Sequence, residues 1–444
     1  MSNKMPRGIP FIIGNEAAER FSFYGMRAIL VIFMTRYLLN QEGAPDFMSE
    51  EEALGYFHIF VSAVYVTPVI GAIISDALWG KYRTIIVLST IYCVGHFILS
   101  MDNTRVGLFA GLGIIAIGSG GIKPCVSAHV GDQFSKSTAH LLPRVFSWFY
   151  FSVNLGAFAS SLATPWLLEI YGAEVAFGVP GVLMVLATLI FWRGRSRFVN
   201  IRPGGMQFIR EVFSGKGFRT LGKLSLLYFF IAGFWTLFDQ SSSAWVLQAQ
   251  KMDRVVFGVE LLPAQIQAAN PILVMALIPL FSYGVYPLLN RFFKITALRK
   301  IGIGFVLTAF SFVIIAVAQM KLDAGMRVHI FWQIIAYVVL TAGEVMVSIT
   351  ALEFSYTQAP KRMKSFIMSF FMLSVAMGNL FTSAVNFAIN DSEGKSLLSG
   401  ADYYWFFAAF MFVLSLLFLP VIKYYKETTH IHDIDPKDPL YMGD

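Results

Sequence analysis

Glu16, Glu19, Arg20 and Arg27 fall inside the first long apolar run of the chain. A charged side chain in mid-bilayer costs about 2.5–3.5 kcal/mol on the insertion scale, so such residues are kept where they pair or work. His58, Lys123, Asp239 and Glu344 sit in later apolar runs, and so do the amides Asn154 and Asn270. Buried carboxylates beside fixed cations can exchange protons and hold a small charged ligand. Covalent chemistry has no counterpart: there is no H-E-x-x-H, no serine elbow and no metal-spaced His/Cys group. The two cysteines, Cys93 and Cys125, lie within apolar runs and suggest neither a disulfide scaffold nor a metal site.

Helical geometry sorts these residues. At about 100° per residue, Glu16, Glu19, Arg20, Phe23, Tyr24 and Arg27 share one face. Ala17, Ala18, Phe21, Gly25, Ala28 and Ile29 form the other, which is small and apolar and suits close packing on a neighbour. Glu16 and Arg20, at i and i+4, can neutralise each other, but that leaves Glu19 and Arg27 to be explained. A rise of about 1.5 Å per residue puts Lys123 level with the two glutamates, so a Lys123–glutamate salt bridge is expected. By the same measure His58 and Asp239 both lie in the outer half and form a second polar layer. His96 has no matching partner and reads as structural. Glu344 and Glu353 are nine residues apart, hence on opposite helix faces, and Glu344, nearer mid-membrane, is the one expected to face a ligand.

The signs divide between the halves of the chain. Arg20, Arg27 and Lys123 come from the first, Asp239 and Glu344 from the second. A cavity between the halves would be positive on one wall and negative on the other. That suits a short zwitterion, and a dipeptide spans only about 7 Å at 3.3–3.6 Å per residue. Phe23, Tyr24, Tyr65, Trp235 and Phe371 are candidate apolar walls, with Asn154 and Asn270 as buried donors.

These residues need a membrane scaffold, and the composition supplies one. The chain has 444 residues, 56% hydrophobic and 14% charged, against about 25% charged in soluble domains. Apolar stretches long enough to span read as helices at 10–39, 52–78, 84–101, 106–130, 143–169, 175–193, 221–247, 262–293, 297–320, 329–356, 365–389 and 402–425. The reading is all-α: a six-helix bundle over 1–193, a basic amphipathic linker over 194–220, a second bundle over 221–425 and a polar, disordered tail over 426–444. Met1 to Pro10 shows no signal-peptide cleavage site, so the first helix reads as retained. Of the 34 Lys and Arg, seven (Arg36, Arg105, Lys251, Arg254, Lys321, Arg327 and Lys395) fall on one side and three (Arg20, Arg27 and Lys123) within helices, leaving 24 on the side of the termini. The positive-inside rule then places both termini in the cytoplasm. The net charge of +7 is thus an orientation signal rather than a nucleic-acid patch. The linker's Arg195, Arg197, Arg202, Arg210, Lys216 and Arg219, interleaved with Phe198, Ile201, Phe208, Ile209 and Phe213, suit an interfacial segment on anionic lipid.

The run from Glu16 to Gly25 resembles the E-x-x-E-R-F-x-Y-Y-G signature of proton-dependent oligopeptide transporters, a branch of the major facilitator superfamily. Gly71 to Arg83 is similar to that superfamily's loop between helices 2 and 3. Gly120 to Pro124, Phe234 to Gln240, and Glu353 to Pro360 (E-F-S-Y-T-Q-A-P) are similar to the family's motifs on helices 4, 7 and 10. The resemblance implies two six-helix bundles with alternating access and proton-driven uptake of di- and tripeptides across the plasma (inner) membrane. It implies a monomer without cofactor, driven by the proton gradient. It further implies that Arg20, Lys123 and Asn154 meet the peptide carboxylate, that Glu344 and Asn270 meet its amine, and that Glu16, Glu19, Asp239 and His58 couple protons. Phe23 replaces the first tyrosine of the motif pair, and Phe371 stands where many members have tryptophan. The extra helices of bacterial members and the outer domain of animal members have no counterpart. Nitrate or another small organic anion is the alternative substrate, although relatives with such substrates commonly lack an intact E-x-x-E-R. A membrane-embedded enzyme or a channel is the reading of a different class, and no segment resembles a selectivity loop.

Overall fold

The structure, a computed structural model, describes residues 5–135, 138–212, 214–358, 364–389 and 396–425. The expected tail, with Ala359 and Pro360 of the helix 10 motif, Phe213 of the linker and Lys395, lies outside them.

Among the described residues twelve long helices follow one another. They are α1 (Ile9–Arg36), α2 (Glu50–Trp79), α3 (Lys81–Met101), α4 (Arg105–Asp132), α5 (142–171) and α6 (173–193). After the linker come α7 (215–250), α8 (Pro263–Leu289), α9 (Ala297–Asp323), α10 (331–358), α11 (Lys364–Ala388) and α12 (Ala401–Tyr424). All except α1, with its five charges, lie in stretches long and apolar enough to cross a membrane, α5 and α6 within a single stretch. The protein is an integral membrane protein of two six-helix bundles.

Local chemistry sets the ends. Ser49 accepts from Glu52 N at 3.1 Å and starts α2, whose first turn holds three glutamates; both the cap and the acidic turn suit a helix N-terminus. Thr104 and Thr296 cap α4 and α9 in the same way. Gly172, at φ 80°, breaks one continuous 52-residue run into α5 and α6, a backbone setting that suits glycine. The sequence places a short loop there; the chain needs a single residue.

The irregular turns gather near charged residues. Asp239 opens a 3-10 turn, Asp239–Ser242, and Ser243 interrupts α7 at φ −135°, ψ −87°. The helix expected to run unbroken over 221–247 is therefore two pieces. Glu344 ends the first part of α10, and a π turn, Val345–Ile349, follows it. Such turns are common at functional sites. Beyond α7, Val255–Val256 and Val259–Glu260 form a two-stranded hairpin that the apolar pattern did not signal.

The small face of α1 packs on α5, as its composition suggests. A Cβ on Gly156 of α5 would lie 2.7 Å from the Ala17 carbonyl, so only glycine permits this approach. The bundles meet through α2 on α11, α5 on α8, and α1 on α7 and α8. Away from the N-terminal face, which we call proximal, they are tied firmly. Ser383 Oγ donates to Gly55 O at 2.9 Å, Gln265 to Leu162 O at 2.9 Å and Gln267 to Ala28 O at 3.2 Å. Lys251 pairs with Glu50 at 3.1 Å at the distal surface.

Candidate substrate and proton site

The first cluster belongs to α1 and α4. Arg20 Nε lies 2.7 Å from Glu16 Oε1 and 3.2 Å from Glu19 Oε2. Both carboxylates are buried, and Ser119 of α4 donates to Glu19 at 3.1 Å. The salt bridge expected between Lys123 and a glutamate is not formed. Lys123 Nζ has no hydrogen-bond partner among the described residues. It sits over the Phe23 ring at 3.7 Å and the Tyr65 ring at 4.4 Å. Arg20 wins the carboxylates because it springs from their own helix, one residue from Glu19 and four from Glu16. Lys123 is left as a buried cation on two aromatic faces.

A second cluster crosses the bundles. Arg27 of α1 is ion-paired to Asp239 of α7. Asn379 of α11 donates to the other Asp239 oxygen at 2.6 Å and to Val375 O at 2.9 Å. Its carbonyl oxygen lies 2.7 Å from His58 Nδ1, and His58 Nε2 lies 3.0 Å from Ser243 Oγ. An amide whose nitrogen donates twice has only its oxygen for the imidazole, so Nδ1 carries the proton. Nε2 of neutral His58 then accepts from the Ser243 hydroxyl. His58 and Asp239 share one layer, as their depths suggest, but Asn379 carries the link.

Between the bundles lies a cavity of about 240 Å³. Of the residues singled out in the sequence, Tyr24, Arg27, Tyr65, Asn154, Trp235, Asp239, Asn270 and Glu344 line it. Asn270 Nδ2 donates to Glu344 Oε2 at 2.8 Å and to Thr341 at 3.1 Å, which fixes the carboxylate on the wall. Trp235 Nε1 is buried without a partner among the described residues. Asn154 Nδ2 donates to Tyr150 O at 2.9 Å. Tyr150, at the proximal end of the cavity, is 41% exposed, whereas the distal ties close the other side. Glu353 is exposed and does not line the cavity, whereas Glu344 does.

Seven expected members stand elsewhere. Glu16, Glu19, Arg20 and Lys123 form the cluster beside the cavity, and His58 lies behind Asp239. Phe23 is buried between Lys123, Tyr24 and Phe60. Phe371 packs edge-on against Tyr228, with centroids 5.6 Å apart, and does not reach the cavity. Sequence reasoning missed Asn379, Ser243, Ser119 and Tyr150. Asn379 had a signal, being an amide inside an apolar run like Asn154 and Asn270.

A family model described as PTR2: POT family matches residues 82–218 and 214–406. The chain belongs to the POT family. Among POT relatives it is 36% identical over 371 residues to Peptide transporter 3 of Caenorhabditis elegans, covering 72% of this chain and 52% of that protein. The chain spans about half the length of the curated relatives it matches. Two solved POT structures follow it almost end to end. An auto-inhibited POT family peptide transporter superposes with a TM-score of 0.86 at 34% identity, covering 99% of this chain and all of that one. The POT family transporter PepTSo superposes with a TM-score of 0.86 at 37% identity, covering 95% and 98%. The relatives are transporters, not enzymes.

Proposed function

We propose that the protein is a proton-coupled symporter that takes up di- and tripeptides by alternating access. The observation that carries this reading is the cavity between the bundles, with Glu344 held by Asn270 on one wall and the cations of α1 and α4 on and behind the other. Glu344 takes the peptide amine. Lys123, which has no carboxylate partner among the described residues, and Arg20 take the peptide carboxylate, with Asn154 beside them. Trp235 Nε1 is a spare donor for a peptide carbonyl. Nitrate is not favoured, because a fixed carboxylate on the wall repels an anion.

Coupling follows from competition. In the empty site Arg20 is paired with Glu16 and Glu19. A substrate carboxylate drawing on Arg20 loosens that hold, and burial then favours protonation of one glutamate. The neutralised site crosses the closed, low-dielectric intermediate at lower cost. The inter-bundle layer of Arg27, Asp239, Asn379 and His58 ties the distal side shut and must open when the cavity turns outward. Each charge moved across 100 mV contributes about 2.3 kcal/mol. The reading places the protein in the plasma (inner) membrane, both termini in the cytoplasm, as a monomer without cofactor.

The test is uptake of labelled dialanine into proteoliposomes under an inward proton gradient. Accumulation abolished by collapsing the gradient is expected. Equal accumulation without the gradient overturns proton coupling, and competition by nitrate but not by dipeptides overturns the substrate.

A further inference from the structure

A second polar cavity lies on the proximal face, away from the site above. The turn between α2 and α3 and the segment 198–204 enclose a groove of about 360 Å³. Gly80, Lys81, Tyr82 and Arg83 line it, so the groove contains the N-terminus of α3, which no side chain caps. Uncapped N–H groups at a helix start favour an anion. Arg83 and Arg202 also line the groove, are exposed, and form no ion pair among the described residues. The nearby carboxylate of Asp132 is taken by Lys81 at 2.7 Å, and Asp76 O accepts from Gly204 N at 2.7 Å. A further feature points to a ligand. His129 lines the groove at 1% exposure, and its Nε2 has no hydrogen-bond partner among the described residues.

We propose that this groove binds the phosphate of an anionic phospholipid and fastens the inter-bundle linker to the first bundle. The shared chemistry is a phosphate ester held by two guanidinium forks and the start of α3. The depth selects lipid over a soluble ester. The groove lies where α2 ends at Trp79 and α3 begins at Lys81, which is the level of lipid headgroups. Its rim carries Leu78, 63% exposed, and Trp79, 45% exposed, an apolar shoulder for acyl chains. Tryptophan is favoured at this level of a bilayer. One phosphate bridging Arg83 on α3 and Arg202 on the linker would reinforce the bond from Gly204 to Asp76.

The full chain in detergent is titrated with phosphatidylglycerol and, separately, with phosphatidylcholine, and retained lipid is counted by native mass spectrometry. The wild type is expected to keep one phosphatidylglycerol in preference to phosphatidylcholine. R83Q/R202Q and the single variant R202Q, whose change lies outside the long helices, are expected to weaken that binding by about tenfold or more, as loss of a charge-assisted fork should. R291Q, an exposed arginine in the loop after α8 on the same face, is expected to leave it unchanged. Retention by R202Q equal to the wild type overturns the site, and so does an equal loss in R291Q. Glycerol 3-phosphate that binds alone and displaces the lipid overturns the lipid as occupant and makes a soluble phosphate ester the ligand.

Discussion

Arg27 on α1 and Asp239 on α7 form a buried ion pair across the two bundles, and Asn379 on α11 donates to the second oxygen of the same carboxylate at 2.6 Å. Three helices thus converge on one aspartate. Removing one member of a buried pair strands the other charge in a low-dielectric interior, at about 3–5 kcal/mol. R27Q and D239N are each expected to lower the melting temperature in detergent and to abolish concentrative uptake. The double variant R27Q/D239N is expected to be less destabilised than the sum of the two, because no lone charge remains. Additive losses in thermal unfolding would show that the pair is not the link between the bundles.

Glu344 is fixed by Asn270 at 2.8 Å on the cavity wall. Glu344→Gln keeps an acceptor for Asn270 and removes only the charge. If Glu344 holds the peptide amine, affinity for free dipeptides falls by about tenfold or more, the value of a charged hydrogen bond of 1.5–3 kcal/mol. N-acetylated dipeptides lose little. A competition assay measures both. Equal losses for the two ligand types would remove the amine from Glu344.

The sequence carried the charged face of α1, because helical periodicity is a local property, and the choice of Glu344 over Glu353 for the cavity. Depth matching also worked for His58 and Asp239. It failed for Lys123, because equal depth says nothing about rotation about the helix axis, and Arg20 needs no tertiary closure to reach Glu16. Asn379 was invisible as a partner because its role depends on how α11 meets α7 and α2. The break at Ser243 is likewise set by packing, since Gln240 to Ser243 reads as polar residues in an apolar run. Phe371 faces Tyr228 rather than the cavity, a difference of rotation again.

Lys123 behaves differently from Arg27 because it forms no ion pair among the described residues. Its Nζ rests on the Phe23 and Tyr65 rings without a hydrogen bond to a described residue. Lys123→Ala removes a desolvated cation along with the stem that carries it. The melting temperature is therefore expected to stay level or rise, whereas uptake of labelled dialanine is lost. A variant that melts early would mean that Lys123 holds the fold, and one that still concentrates dialanine would remove Lys123 from the mechanism.

Ser243 offers a test of the proton path that leaves every charge in place. His58 Nδ1 donates to Asn379, so Nε2 is the only ring atom that can gain a proton. The Ser243 hydroxyl, 3.0 Å away, donates to the neutral ring and can rotate to accept from the cation. Hydrogen bonds to a charged group are worth more than those to a neutral one. Ser243→Ala thus removes more support from the imidazolium than from the neutral ring. The pH of half-maximal proton-driven uptake is expected to move to lower values in S243A, with substrate affinity at saturating acidity unchanged. Ser243→Thr keeps the hydroxyl and is expected to restore the wild-type profile. A pH profile in S243A that overlays the wild type would show that His58 does not change protonation during the cycle.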